Sequence, residues 1–590
     1  MEPERQPAIS AGKGVLELLQ QDGILDQEQV EQVRRRTRRA SIPDYQAVVD
    51  LKLASQEDVY RALSRSVGIP FVQLSAQQID PSVTSRVTAK VALHYKFVPL
   101  AVANGTLKAA FASPPAMRDC ENLRVLLGLR LQPVIATPVE IHRTLKQVYG
   151  LGAETVLQLR HDRSFQKEVD TVKYDQFSGQ DLDAVQGEDA SIIHLVNQIL
   201  LEALALDATD VHVEPYPETT RVRYRIDGML REIPTPPGMR QLHDSIVSRL
   251  KIMADLDIAE KRLPHDGRIR VRIRNEEFDL RVSILPTRFG EAICLRILNR
   301  SAIFLEMEQL GLNKNQLSIL RNLVAMPHGI ILVTGPTGSG KTTTLYAALN
   351  KVRSDSPERK IITVENPVEY ELEGTTQIQI RSDIGLTFAS GLRSILRHDP
   401  DIILVGEIRD SETAEIAIRS SLTGHLVLST LHTNDSVGAV NRLVDMGIEP
   451  YLVSSSLVAA MAQRLVRRIC PHCKQPDDDI RPRVRAEMAL SLGIEQDAVQ
   501  AWRGGGCIEC DQSGYRGRLA IMEIFLLDEE IQDMVSRRAM SSELRHTAYD
   551  RGMRTLRDSG WEKVSAGLTT VEEITRITST FQLTYDALSD

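Results

Sequence analysis

A chain of 590 residues is too long to pack around one core; at about 150 residues per domain it implies roughly four units. Charged residues make up 25% and hydrophobic residues 42%, the mix of a globular protein rather than a disordered or membrane-spanning one. A net charge of −8 argues against a protein that coats nucleic acid, which needs a basic excess.

Residues 1–150 read as a small α/β domain. Two stretches in it, VLELLQQDGILDQEQVEQV at 15–33 and AVVDLKLASQEDVYRAL at 47–63, resemble each other. Each has an apolar helical run, a break, and a second helix with an acidic start, which predicts an internal duplication. Ser55 with Asp58 is the expected N-terminal cap of the later helix. VPLAVANGTLKAAFASP predicts a hairpin turning at Asn104-Gly105. Residues 151–190 read as a flexible linker, because from about His161 acidic and polar residues replace apolar periodicity.

Residues 191–300 form the expected middle α+β domain. ATDVHVEPY, RVRYRIDGMLREI, EEFDLRVSIL and EAICLRILN alternate in the strand manner. In the third, Phe278, Leu280, Val282 and Ile284 share a face and put Arg281 on the other. In the fourth, Ile293, Leu295 and Ile297 share a face and Arg296 points away. From 301 to 590 strands and helices alternate, the pattern of a parallel sheet wrapped by helices. Met1–Gln20 has no apolar core of a secretory signal. The longest uncharged stretch, Asn322–Gly340, carries two prolines and four glycines and suits a strand entering a loop better than a spanning helix. A cytoplasmic location is expected, with membrane contact made through a protein.

The chemistry enters at Gly335-Pro336-Thr337-Gly338-Ser339-Gly340-Lys341-Thr342-Thr343, which satisfies G-x-x-x-x-G-K-[ST]. An apolar strand, Ile330–Val333, precedes it and a helical pattern follows, the context a phosphate loop needs. Glycine backbone N–H groups can close around a β-phosphate. Lys341 can reach the β- and γ-phosphates of ATP, and the Thr342 hydroxyl can reach Mg²⁺. A second strand, Asp401–Val405, runs into Gly406-Glu407, the form of a Walker B segment. It is expected beside the phosphate-loop strand, with Glu407 as general base or water-positioner. A solvated acid at a strand end is the blander alternative.

Four of six cysteines form two Cys-x-x-Cys pairs, Cys470/Cys473 and Cys507/Cys510. Two such knuckles complete a tetrahedral S₄ site suited to Zn²⁺, whereas a thioredoxin-like redox pair would stand alone in a different pattern.

These boxes, with TVENPVEY at 363–370, DPDIILVGEIRD at 399–410, TGHLVLSTLHTND at 423–435, RYRIDG, EKRLPHDGR, QRLVRRIC and GYRGRLAIMEIF, resemble the ATPases of type II secretion and type IV pilus assembly over nearly the whole chain. The resemblance implies a RecA-like core over 301–590 with a tetracysteine zinc insertion at 470–510, and a PAS-like middle domain. It implies a hexamer at the inner face of the cytoplasmic membrane, hydrolysing Mg-ATP and moving its domains to drive pilus assembly or secretion. Its partners would be an inner-membrane platform protein and a membrane adaptor. It assigns Glu365 and Glu369 of the acidic box to Mg²⁺ or its waters, His432 to γ-phosphate sensing, and Arg281 and Arg296 to arginine fingers, with Arg268 third. Asn366 stands where the family usually has Asp, which removes one carboxylate. The 1–150 domain resembles the N-terminal domain that in some members binds cyclic di-GMP. Here Gly14 opens the first repeat where arginine belongs, Lys52 replaces a glycine of the second and Ser66 a glutamine. Cyclic di-GMP binding is therefore not expected, and protein docking is. A nucleic-acid motor and a nucleotide-dependent scaffold with little hydrolysis are the competing readings; stable nucleic-acid binding is not expected.

Overall fold

The computed structural model describes residues 14–40, 42–74, 86–151, 180–181, 191–273, 276–299 and 305–578, with Ile79 and Val83. The chain divides into two compact units, 1–297 and 298–590.

The first unit opens with four helices: α1 (Val15–Gln21), α2 (Gln27–Ala40), α3 (Asp44–Asp50) and α4 (Gln56–Val67). The duplication is visible in backbone geometry. After α1 the chain turns through Gly23 at φ +70°, and after α3 it turns through Lys52 at φ +54°. Ile24 N–H bonds Leu19 O at 2.9 Å and Leu53 N–H bonds Val48 O at 3.2 Å, the same closure in both copies. Ser55 caps α4 by accepting from Asp58 N–H at 3.1 Å. Strands β1 (Phe97–Ala103), β2 (Thr106–Phe111) and β3 (Arg130–Ile135) follow, then α5 (Pro138–Tyr149). The hairpin turns where the sequence places it, because Asn104 and Gly105 both tolerate the positive φ, +49° and +73°, of a two-residue turn.

The linker assignment, 151–190, falls outside the described residues except for Leu151 and for β4 (Gln180–Asp181), whose backbone pairs in parallel with β8. The middle sheet then gathers α6 (Ser191–Ala205), β5 (Ala208–Pro215), β6 (Thr220–Ile226), β7 (Met229–Ile233), α7 (Met239–Met253), β8 (His265–Ile273), β9 (Glu276–Thr287) and β10 (Gly290–Asn299). Its strand order is β4-β8-β9-β10-β5-β6-β7. Phe278, Leu280, Val282 and Ile284 of β9 and Ile293 and Leu295 of β10 join the buried core with α6 and α7.

The second unit is a seven-stranded sheet in the order β13-β12-β14-β15-β11-β16-β19. Its members are β11 (Gly329–Thr334), β12 (Ile361–Glu365), β13 (Thr376–Gln379), β14 (Ile402–Val405), β15 (Leu426–Leu431), β16 (Leu457–Ile469) and β19 (Tyr515–Leu526). A two-stranded ribbon, β17 (Lys474–Pro476) and β18 (Trp502–Gly504), lies between the last two in sequence. Pairings are parallel except β16 with β19. Strands β11, β14 and β15 are buried along their whole length, as strands covered on both faces must be; β14 is an unbroken apolar run, while the buried Ser429 and Thr430 of β15 donate to Val405 O and Gly406 O, each at 2.7 Å. Helices α8 (Lys341–Asp355) and α9 (Ser411–Leu422) supply part of that cover.

One expectation is corrected here. The Glu407 strand β14 is not the neighbour of the phosphate-loop strand β11; β15 lies between them. Alternating strands and helices specify parallel connections but not whether a crossover skips a place. The skipped place goes to β15, whose last residue, Leu431, precedes His432.

Candidate functional site

The site is built at the carboxyl ends of β11, β14 and β15. Their ends are level, with Val405 opposite Ser429 and Val333 opposite Thr430. After Thr334 the chain leaves the sheet and enters α8 through three glycines at positive φ: Gly335 at +147°, Gly338 at +79° and Gly340 at +84°. A Cβ at Gly335 would stand 2.6 Å from Gln463 O, and one at Gly340 would stand 2.9 Å from Gln463 Nε2. Both glycines are therefore required by close approach as well as by φ.

Pro336, Thr337 and Gly338 form an exposed crest, and Thr342 and Thr343 are exposed on the first turn of α8. The loop fits a phosphate by two observations. It leads into a helix N-terminus whose first N–H groups lack intrahelical partners. The Ser339 hydroxyl is buried with no partner among the described residues, an unusual state unless a ligand supplies one. Lys341 Nζ donates to Gly335 O at 2.8 Å and Pro336 O at 3.1 Å, so the ammonium curls over the loop it belongs to. Burial draws that ammonium below its ordinary range; the charge of Glu407 opposes the shift and that of Arg464 adds to it.

Glu407 follows β14 on a turn held from both sides. Gly406 N–H bonds Val364 O at 2.8 Å, and the Thr430 hydroxyl donates to Gly406 O at 2.7 Å. The Glu407 side chain is 13% exposed, and its Oε2 takes Arg409 Nε at 2.7 Å. His432 Nε2 stands 3.4 Å from the same oxygen, beyond an ordinary hydrogen bond but within ion-pair reach of a protonated ring. The strand order thus gathers Lys341, Glu407 and His432 from three different elements.

The acidic box divides. Glu365, at the end of β12, is buried, and its two oxygens accept from Tyr346 at 2.6 Å, Thr363 at 2.7 Å and Gln377 at 3.2 Å. Burial and the adjacent carboxylate push the Tyr346 phenol above its ordinary range. Glu369 is half-buried and Asn366 exposed. His425 has a structural bond, its Nδ1 to Ser420 O at 2.8 Å.

The middle-domain arginines sit on the first unit. Arg281 of β9 faces Arg268 of β8 in register. Arg296 of β10 is exposed, with Nε 3.0 Å from the Asp210 carboxylate.

The four paired cysteines meet. Cys470 follows β16 directly, and Cys507 and Cys510 follow β18. The Sγ–Sγ separations of 470–507, 473–510 and 507–510 are 3.7, 3.8 and 3.6 Å, and all four sulfurs lie within 4.8 Å. A tetrahedral site with Zn–S near 2.3 Å needs sulfurs about 3.8 Å apart, so the donor set fits zinc. Cys510 Sγ also accepts from the backbone N–H of Cys507 and Gly514, each at 3.2 Å, bonds that favour a thiolate.

Sequence reasoning gave no role to Gln463 and Arg464, the first two residues of the QRLVRRIC box, although Gln463 bonds the phosphate loop at Ser339 and Arg464 bonds Asn434 just beyond His432. The available signal was a polar pair interrupting the apolar run Leu457–Ala462.

Comparison with known proteins supplies the remaining findings. The family model described as type II/IV secretion system protein matches residues 185–576, and the MshEN domain model matches 67–155. The type IV pilus assembly ATPase PilB of Myxococcus xanthus is 39% identical over 565 residues, 95% of this chain and 97% of that protein. Type II secretion system protein E of Dickeya dadantii is 46% identical over 465 residues, 79% of this chain and 91% of that protein. The solved structure of the ATPase DotB of Legionella pneumophila aligns with 65% of this chain and 95% of its own at 21% identity and TM-score 0.48.

Proposed function

Because the chain belongs to the type II/IV secretion system protein family, and is thereby an ATPase of the secretion and pilus-assembly class, we propose that it works as a hexameric Mg-ATP motor whose domain motions drive type IV pilus assembly or type II secretion. The observation that carries the reading is the convergence of Lys341, Glu407 and His432 beside a loop that has no room for a side chain at Gly335 or Gly340.

In this reading ATP phosphates lie against residues 335–343. The N–H groups of Gly338, Gly340, Lys341 and Thr342 face them, Ser339 finds its missing partner, and Lys341 exchanges its own loop carbonyls for β- and γ-oxygens. The Thr342 hydroxyl would hold magnesium, which would supply charge neutralisation at the phosphates. Glu407 accepts from the attacking water and orients it in line with the γ-phosphorus. His432, against Glu407, registers whether a γ-phosphate is present, since an imidazole can donate from one nitrogen while accepting at the other. Glu369 is the proposed carboxylate for magnesium or its waters. Glu365, with both oxygens committed, holds the shape of that turn. Arg281 and Arg296 are the proposed arginine fingers, with Arg281 opposite Arg268 in the β8–β9 register. Arg296 would exchange Asp210 for phosphate.

Zinc bound by Cys470, Cys473, Cys507 and Cys510 would fix the β17–β18 ribbon to the end of β16. Among the described residues no helix is long and apolar enough to cross a membrane. We assign the motor to the inner face of the cytoplasmic membrane, held there by a platform protein and an adaptor, without nucleic acid or cyclic di-GMP.

Light scattering coupled to a turnover assay tests the assembly. The proposal expects Mg-ATP hydrolysis to travel with a species of six chains; full activity in a monomer would contradict it.

A further inference from the structure

Strands β11 and β16 run in register up to Thr334 opposite Ala462. There they part. The chain of β11 turns into the phosphate loop, while β16 continues to Ile469, paired with β19. Gln463 and Arg464 are therefore the first β16 residues to pass beside the loop.

The Gln463 side chain is 1% exposed. Its Nε2 donates to Ser339 O at 2.9 Å, and its Oε1 accepts from the Thr344 hydroxyl at 2.7 Å. One amide thus ties the last bend of the loop to the first turn of α8. Its backbone carbonyl fills the space a Cβ on Gly335 would need.

Arg464 works outward from the same place. Nη1 donates to Gln463 O at 3.0 Å and Nη2 to Asn434 O at 2.9 Å. Asn434 is two residues beyond His432. The rest of that loop is also fastened: Asp435 pairs with Arg545 at 2.7 Å, and Ser436 N–H donates to the buried Glu523 at 2.9 Å. Burial lowers the Arg464 guanidinium from its ordinary range, with Glu523 and Asp435 opposing the shift from a distance. A half-buried guanidinium bonded to two backbone carbonyls is costly as packing material, since an apolar side chain would fill the space without desolvating a charge.

We propose that Gln463 and Arg464 are positioning residues for ATP hydrolysis: Gln463 holds the phosphate loop in its binding shape, and Arg464 holds the His432 loop against it. The inference rests on the reading of residues 335–343 as the ATP site. It separates two roles. Loosening Gln463 disturbs the surface that binds phosphate, whereas loosening Arg464 disturbs the alignment of His432, and through it Glu407, without opening the loop.

The test uses the full-length chain, with binding of a fluorescent ATP analogue and steady-state turnover measured on the same preparations. A lost charge-assisted hydrogen bond is worth about 10- to 100-fold, so Arg464→Gln should lower kcat by about that factor while Kd changes less than about threefold. Arg464→Lys keeps the charge but reaches one carbonyl, and should recover part of the loss. Gln463→Leu should show the opposite split, with Kd weakened about tenfold or more. If Arg464→Gln weakens Kd tenfold and leaves kcat at saturation unchanged, the guanidinium grips phosphate itself and the positioning role is wrong. If both variants behave like the parent, the pair only packs. Should Arg464→Gln fail to fold, the split in Arg464→Lys decides. A parent chain that does not turn over ATP would instead remove the ATP-site reading.

Discussion

The phosphate loop and the duplicated turns of the N-terminal domain set the same backbone problem under different constraints. Both require residues at positive φ directly after an apolar element. At two places in the phosphate loop a side chain has no room: a Cβ at Gly335 would meet the Gln463 backbone carbonyl at 2.6 Å, and one at Gly340 the buried Gln463 amide at 2.9 Å. At the repeat turn the space is open, with nothing within 4 Å of a Cβ on Gly23, and Lys52 occupies the equivalent place at φ +54°. The left-handed region costs an ordinary residue about 1 kcal/mol, which a domain can absorb; a backbone clash cannot be absorbed so cheaply. Glycine in the first region answers to ligand and packing together, while glycine in the second answers only to a dihedral angle.

The contrast can be broken most sharply at Lys341. Lys341→Ala should abolish ATP turnover, because it removes the cation at the phosphates, and a malachite-green assay would read the loss. The cysteine cluster tests whether a second ligand-dependent region behaves as the loop does. One Zn²⁺ per chain is expected by elemental analysis, and Cys470→Ser should release it and lower the melting temperature of the C-terminal region before ATP binding suffers. Zinc-free protein, freshly isolated without chelator, would contradict the assignment.

The N-terminal side of the comparison is tested by titration with cyclic di-GMP. Gly14 supplies no guanidinium, Lys52 fills the place of a bare backbone, and Ser66 is too short for the glutamine it replaces. Each lost charge-assisted bond is worth roughly 1.5–3 kcal/mol, so several together weaken binding by thousands-fold or more. No heat of binding is expected at micromolar ligand, and a micromolar Kd would show that other residues grip it. The smallest effect is the most direct on the dihedral argument: Lys52→Gly should stabilise the domain by up to about 1 kcal/mol, and Gly23→Ala should destabilise it by about as much.

The sequence shows some of these features and hides others for physical reasons. The phosphate loop, the Asn104-Gly105 turn and the Ser55 cap are local, set by residues within a few positions of one another, and a pattern suffices to find them. The order β14-β15-β11 is not local: four parallel strands with similar apolar runs can be laid side by side in several orders, and only the packed sheet selects one. Gln463 is hidden for a related reason. Its bonds to Ser339 and Thr344 span more than a hundred residues, and a glutamine within a strand looks like any solvent-facing residue until burial is known. Glu365 shows the reverse case, a carboxylate that reads as a metal ligand until Tyr346, Thr363 and Gln377 are found on its oxygens.

The central claim is that the loop at 335–343, with Glu407 beside it, hydrolyses ATP. Steady-state turnover of Glu407→Gln, measured with ATP binding on the same protein, tests it most directly. The variant keeps the size and hydrogen-bonding reach of the side chain and loses its charge. Binding should stay within about threefold of the parent, while hydrolysis falls by about two orders of magnitude or more. Turnover near the parent rate would show that another group activates the water.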